Sequence, residues 1–326
     1  MQTCKYRLKF KSPLHISSRG VGFEQVSHMI HSDTLFGAIV DCWFNLYPED
    51  ESIIFGNSES PPFLVSSAFP YFGECEFFPK PYSSKVETDE IKALRKVQFI
   101  EKSVFFKILS GEVFRFESQH TTGGGNFWID NSSDSIFPRL WVVEETPRVV
   151  IDRYTGSTNH YFVSELYFEE KAGLFFLVKF KDRNLIEKFE TALRFLGDQG
   201  LGLDRSSGKG LFNIEKTTGF EYPKPEKTNR FLTLSLYHPS RKEIETFLLE
   251  NASYDMVYRG GWITSNGRGT PYRRQVLTMF AEGSVFSGDP DKLYGDMPTV
   301  ISSTFKPQDM DHKVYRYGCA FPLGIV

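Results

Sequence analysis

The chain has 326 residues, room for one large domain or two of ordinary size, and a net charge of −3. So even a balance argues against a protein that coats nucleic acid through bulk positive charge, but it leaves room for a local basic groove. The 32 Phe, 15 Tyr and 4 Trp are enough apolar material for two packed cores. Four scattered cysteines (Cys4, Cys42, Cys75, Cys319) form no C-x-x-C pair and read as reduced, mostly buried thiols of a cytosolic protein. The first residues alternate instead of forming an apolar signal core, and no apolar run nears the roughly 20 residues of a membrane span. A soluble, cytoplasmic protein is expected.

Thr3 to Lys11 alternates Cys4, Tyr6, Leu8 and Phe10 with basic residues, the pattern of a half-buried strand. After a loop, Ser32 is expected to cap a helix with Asp33 in its first turn, where a carboxylate suits the dipole. Leu35, Phe36, Ile39, Val40, Trp43 and Tyr47 line its inner face, and Pro48 ends it. Glu49 to about Ser84 reads as loop-rich with one strand at Phe63 to Phe69. From Gln98 to Phe168 the chain reads as β structure, with strands at Val104–Leu109, Val113–Phe116, Leu140–Val143, Arg148–Asp152 and Tyr161–Phe168. Strand Leu174–Phe180, a helix from Arg183 to Leu196 capped by Asp182, a glycine-rich loop and strand Leu211–Ile214 follow.

Without its insertions this is β-α-β…β-α-β, the ferredoxin-like pattern. After a Pro- and Lys-containing linker, Tyr222 to Lys227, the order begins again. A strand Phe231–Tyr237 precedes a helix opened by the capping box Ser240-x-x-Glu243. Strands near Tyr254–Trp262, Gln275–Phe280 and Val314–Phe321 complete it. The expected fold is therefore α+β, with two tandem ferredoxin-like domains at residues 1–221 and 228–326.

The loop from Gly197 to Gly210 holds five glycines (Gly197, Gly200, Gly202, Gly208 and Gly210), with Arg205, Ser206, Ser207 and Lys209 among them. It is not a nucleotide P-loop. Five residues separate Gly202 from Gly208, Lys209 is followed by Gly210 instead of Ser or Thr, and the helix precedes the loop. Arg205 stands where a dinucleotide fingerprint needs its third glycine. Two readings remain: a phosphate cradle of backbone N–H groups with two cations, or a long turn.

Other residues carry paired readings too. His15, near Ser17 and Arg19, is a candidate general base for RNA cleavage, or a histidine that bonds a ligand without chemistry. His28 and His31 with Asp33 make an incomplete metal set, and His31 and Ser32 are better read as helix-entry residues, with Asp33 a dipole-stabilising carboxylate. Arg148, Arg153 and Tyr154 offer a cation and a ring face to single-stranded RNA, or else an Arg153–Asp152 surface pair beside an edge tyrosine. Arg259 and Trp262 pose the same choice. From Met256 to Ala281 there is no acid, while Arg259, Arg268, Arg273 and Arg274 are cationic; this is a basic groove or a solvated face. No catalytic elbow, acidic dyad or HExxH occurs, and no cofactor or metal is expected.

Set in order, several of these motifs carry a resemblance. They are Leu14-His-Ile16, His31-Ser-Asp-Thr-Leu-Phe-Gly-Ala38, Pro147-Arg-x-x-Ile-Asp-Arg153, Gly200 to Gly210, Tyr258-Arg-Gly-Gly-Trp262 and Val314 to Leu323. Over nearly its whole length the chain resembles the repeat-associated (RAMP) CRISPR proteins, and among them the family of the fourth subunit of the type III-A Csm effector complex. The resemblance implies RRM-like domains with an inserted β-hairpin thumb, sought within Gln98 to Trp141. It implies a non-catalytic RNA-binding subunit that holds the 5′ repeat-derived tag of the CRISPR RNA. It also implies two protein partners, a large polymerase/cyclase-like subunit and a backbone subunit, with target RNA nearby. On this reading the N–H groups of Gly208 to Gly210, the Ser206 and Ser207 hydroxyls, Arg205 and Lys209 meet phosphates, and His15 and Arg19 line the same groove. The alternative within the same fold is a metal-independent endoribonuclease that processes CRISPR precursor RNA.

Overall fold

The opening strand Gln2–Phe10 sits inside a sheet because Cys4, Tyr6 and Leu8 are all fully buried. It pairs antiparallel with Ala172–Phe180 on one side (Tyr6 opposite Phe176) and with Phe212–Thr218 on the other (Tyr6 opposite Lys216). Ala172–Phe180 is buried at every position, as a strand flanked on both edges and covered on both faces must be. Its far edge takes Phe63–Val65 and Phe69–Phe72. The sheet continues through Cys75–Pro79, Phe99–Glu101, Phe127–Trp128 and Thr121–Thr122 to nine strands. Phe99–Glu101 and Phe127–Trp128 run parallel, so the sheet is mixed. The helices Ser32–Leu46 and Ile186–Gln199 pack on it. Phe189 lies 5.5 Å from Tyr6 and 5.2 Å from both Phe63 and Phe180, ring to ring. This computed structural model describes residues 2–17, 24–57, 60–83, 86–130, 137–225, 228–246, 251–263, 272–301 and 312–326.

Several expected elements change kind or length. Val104–Leu109 is not a strand but part of a helix, Lys102–Leu109, that buries Val104, Phe105, Ile108 and Leu109. A short apolar run suits either period, and here Val104, Phe105, Ile108 and Leu109 are buried together at helical spacing. The two strands expected at Leu140–Val143 and Arg148–Asp152 are one, Trp141–Ile151, paired along its length with Thr158–Phe168. Pro147 is tolerated because this ribbon has a partner on one side only. The long hairpin thus follows the stretch Gln98 to Trp141, where a thumb was sought, instead of lying inside it. Phe63 to Phe69 divides into two strands, and a short helix, Glu51–Phe55, occupies the region read as loop.

Helix boundaries shift as well. His31, not Ser32, is the cap residue of the first helix; the Ser32 hydroxyl instead accepts the Leu236 N–H at 3.0 Å. The second long helix runs to Gln199, so Gly197 is a buried helical residue and the glycine loop begins at Gly200. Two caps stand where expected. Asp182 accepts the Asn184 N–H at 2.9 Å, and Glu243 reaches back to the Ser240 N–H at 2.6 Å.

The C-terminal strands are shorter than their patterns. Phe231–Tyr237 keeps only Arg230–Thr233 as strand, because Thr233 Oγ1 bonds the backbone of Ser235 and bends the chain. That strand lies between Val285–Ser287 and Pro322–Gly324. Val314–Phe321 forms no ladder; Arg316, Gly318 and Ala320 donate to the irregular carbonyls of Pro298, Asp296 and Tyr294. Two small ribbons, Met256–Arg259 with Leu277–Phe280 and Trp262–Ile263 with Tyr272–Arg273, lie in the same C-terminal part of the chain.

The expectation of two separate cores is corrected. The main core holds Leu232, Leu234, Tyr317, Phe321 and Leu323 together with Trp43, Phe63 and Phe176; among the described residues a small aromatic cluster around Phe231 and Phe286 lies apart. Phe36 stacks on Tyr317 at 4.4 Å, across what the sequence suggested was a domain boundary.

Candidate nucleic-acid interface

The glycine loop closes on the segment that follows the opening strand. Leu203 N–H donates to the His15 carbonyl (3.0 Å), Gly210 N–H to the Pro13 carbonyl (2.8 Å) and Leu201 N–H to the Gly210 carbonyl (3.0 Å). Such tight contacts need glycine. A Cβ on Gly202 would lie 2.3 Å from the His15 carbonyl oxygen, and one on Gly210 would lie 1.9 Å from that of Leu201. The expected cradle is therefore corrected: the N–H groups of Gly208, Lys209 and Gly210 already donate to Arg205, Asp204 and Pro13. What the loop offers outward is the turn Arg205–Ser207 with Gly208, all exposed.

His15 does not line a groove. It is 5 % exposed, and its Nδ1 lies 2.6 Å from the Ser164 carbonyl oxygen on the long hairpin. The hairpin also brings a buried carboxylate, Glu165, beneath the loop. Lys209 Nζ lies 3.0 Å from it, and Arg148 spans to Glu165 (3.8 Å) and Asp204 (3.7 Å). Both cations thus hold the loop to the hairpin. Ser17, half-buried, bridges to Val26. Arg153 and Tyr154 stand at the exposed hairpin tip, where Asp152 accepts the Tyr154 and Thr155 N–H groups at 2.7 and 3.1 Å. Asp152 is therefore a turn-former. Arg19 and Arg268 lie outside the described residues.

On the far side of the loop runs a groove of about 890 Å³, floored by the start of the first helix and by Arg274 and Arg316. Its polar centre is Asp33. Arg259 grips this carboxylate through Nε and Nη2, both at 3.0 Å, and reaches Thr34 Oγ1 at 2.9 Å. Arg316 Nη1 bonds Asp33 as well, while its Nη2 donates to the Gly260 carbonyl at 2.7 Å. Arg259 is only 4 % exposed, so its expected contact with RNA is corrected to an internal ion pair. Trp262 and Arg273 do remain accessible, with the guanidinium 4.9 Å from the indole ring.

Burial alone would push the Asp33 carboxyl up; Arg259 and then Arg316 overcome this and hold it well below the usual carboxylate range. Glu282 behaves alike. Burial raises it, but His31 at 2.8 Å and the Ser67 hydroxyl bring it below its ordinary value. Both depressions stabilise the fold above the unfolded values of 3.8 and 4.5, and that contribution is lost as pH falls through the lower folded values. Urea midpoints are thus expected to hold steady above about pH 5 and to fall steeply below it. Glu282→Gln should flatten part of that slope; a wild-type midpoint constant down to about pH 3 would deny both pairs any role.

The ion-pair role of Asp33 was not legible in the sequence. Its partners lie 226 and 283 positions away, beyond any local pattern. The metal reading of His28 and His31 is also corrected. His28 packs 4.7 Å from the Trp141 ring, His31 binds Glu282, and no metal-holding cluster occurs among the described residues.

A nine-stranded mixed sheet covered by two helices, with a glycine loop beside an arginine-lined groove, defines a class. The RAMP superfamily profile matches residues 7–213, and the chain belongs to that superfamily. Residues 226–325 match the CRISPR Csm4 C-terminal domain, which makes this a Csm4-like RAMP protein. The Csm4 protein of Thermococcus onnurineus is 29 % identical over 313 residues, spanning 90 % of this chain and 91 % of that one. Among solved structures, a Csm3–Csm4 subcomplex of a type III-A CRISPR-Cas interference complex covers all of both chains at a TM-score of 0.66 and 17 % identity. A Csm1–Csm4 cassette in complex with cA4 covers 100 % and 98 % at 0.59 and 23 %. At these identities the likeness is one of fold.

Proposed function

We propose that this chain is a non-catalytic subunit of a type III-A CRISPR RNA-guided effector complex in antiviral defence. It holds the 5′ repeat-derived tag of the CRISPR RNA and bridges a large polymerase/cyclase-like subunit to the backbone subunit. The observation that carries this is the groove between the glycine loop and the arginine cluster, in a chain that matches the RAMP and Csm4 families at successive segments. Exposed Arg205, Ser206 and Ser207 on one rim and the Trp262–Arg273 pair beyond the other suit a single strand. Cations take its phosphates, and a ring takes an unpaired base. Solved assemblies that join a Csm4 to Csm1 and to Csm3 support the bridging role. On this reading the protein is cytoplasmic and divides into ferredoxin-like domains at 1–221 and 228–326, with the hairpin Trp141–Phe168 as the thumb.

The endoribonuclease reading asks His15 to act as a base, yet its ring is buried and its Nδ1 is held to a carbonyl. Purified chain is accordingly expected to leave repeat RNA uncut. In complexes purified with their RNA, Arg205→Ala with Arg273→Ala should lower tag-RNA retention about tenfold or more, since each lost phosphate contact weakens binding at any sequence. Retention at the wild-type level, or cleavage that His15→Ala abolishes, would overturn the proposal.

A further inference from the structure

Among the described residues, the half-buried guanidinium of Arg274 in the groove makes no ion pair of its own. It lines the groove floor and makes no side-chain hydrogen bond among those residues; its Nε is enclosed without an acceptor. The one buried carboxylate nearby, Asp33, is already taken by Arg259 and Arg316. Three guanidiniums therefore surround a single carboxylate. The other acids on the groove do not answer Arg274: Asp204 faces Arg148 at 3.7 Å, and Asp41 is exposed on the rim. Burial and the neighbouring Arg316 push the Arg274 guanidinium below its ordinary value, and Asp33, already held by two other guanidiniums, only partly offsets them.

An unpaired, half-buried guanidinium is costly to keep, and such a group in a native fold calls for an absent ion or ligand. Its forked donors match the oxygens of a phosphate. The groove beside it is open, and Arg205, Ser206 and Lys313 line it too. The backbone N–H of Arg274 is bonded to Gly261 (2.9 Å), and Arg316 holds Gly260, so the seat is fixed to the same turn that anchors Asp33.

We propose that Arg274 seats one backbone phosphate of the bound RNA, without reading its base, and that this phosphate is the missing counter-ion of the Asp33 cluster. RNA binding then tightens the joint between the first helix and the segments carrying Arg259, Arg274 and Arg316. The inference rests on the RNA-holding role proposed above, and the test separates the two.

The full chain is titrated with tag-bearing repeat RNA and with an oligouridine of equal length at several salt concentrations, and its melting temperature is read with and without RNA. Arg274→Gln should weaken both RNAs about tenfold and make the salt dependence shallower by about one ion. It should also shrink the RNA-induced rise in melting temperature, whereas Arg274→Lys keeps the salt slope. Unchanged affinity and slope in Arg274→Gln, with Arg205→Ala/Arg273→Ala still impaired, would overturn the seat and leave the RNA-holding role standing. Loss confined to the tag sequence would overturn it too, because a phosphate contact is blind to sequence. If the wild-type chain bound neither RNA, the role itself would fail. Inorganic phosphate would then decide the seat: protection of wild type but not of Arg274→Gln upholds it, and equal protection or none overturns it.

Discussion

Replacing Asp33 by Ala is expected to destabilise the chain by about 3–5 kcal/mol, the cost of leaving buried guanidiniums without their carboxylate. Arg259 and Arg316 are 4 % exposed each, and Asp33 6 %, so water cannot replace the lost partner. The loss is larger than that of an exposed pair such as Arg241–Glu245, worth at most about 1 kcal/mol. Arg316→Met should cost less than Asp33→Ala, since Arg259 still grips the carboxylate with two hydrogen bonds. Urea denaturation of the full chain gives the comparison. A loss below about 1 kcal/mol for Asp33→Ala would mean that the cluster opens to solvent and does not clamp the first helix to the Arg259 and Arg316 segments.

Gly210→Ala should be the most damaging substitution in the loop. Gly208 and Gly210 have similar backbone angles, φ +77° and +70°, so both pay the cost of a side chain in left-handed space, about 1 kcal/mol. They differ in surroundings. A Cβ on Gly208 meets nothing within 4 Å, whereas one on Gly210 would collide with backbone atoms of Leu201. Relieving that collision breaks the bonds from Leu201 N–H to Gly210 and from Gly210 N–H to Pro13. Gly208→Ala is thus expected to cost about 1 kcal/mol, and Gly210→Ala about 2–3 kcal/mol more, with RNA binding lost as the loop leaves its place. Equal effects at the two positions would show that backbone angle alone, not crowding, places glycine here.

Much of the candidate site was legible from local chemistry. The glycine content marked a loop of tight backbone approach, and the Arg and Ser residues within it marked its outward face. The loop's neighbours were harder to read. His15 looked like a free base because nothing nearby in sequence partners it; its partner is the Ser164 carbonyl, brought alongside when the hairpin folds back. Lys209 looked free to meet phosphate until Glu165 arrived from the same hairpin. Arg259 sat in an acid-free run, and its acid lies in the first helix. In each case the sequence showed a charge or a ring, and a distant strand supplied what satisfied it.

What the sequence determined by itself were the features set within a few residues: the alternation of Gln2–Phe10, the helical stripe from Phe189 to Leu196, the Asp182 cap and the Ser240–Glu243 box. Pattern and capping are local, because side chains three or four residues apart share a helix face and those two apart share a sheet face. Tertiary structure alone decided that Val104–Leu109 is helix, that one core serves residues from both halves of the chain, and that of four neighbouring arginine candidates Arg259 is spent inside while Arg273 and Arg274 face outward or into the groove. Burial and ion pairing depend on which elements meet across hundreds of residues, and a buried charge is tolerated only where that meeting supplies its partner.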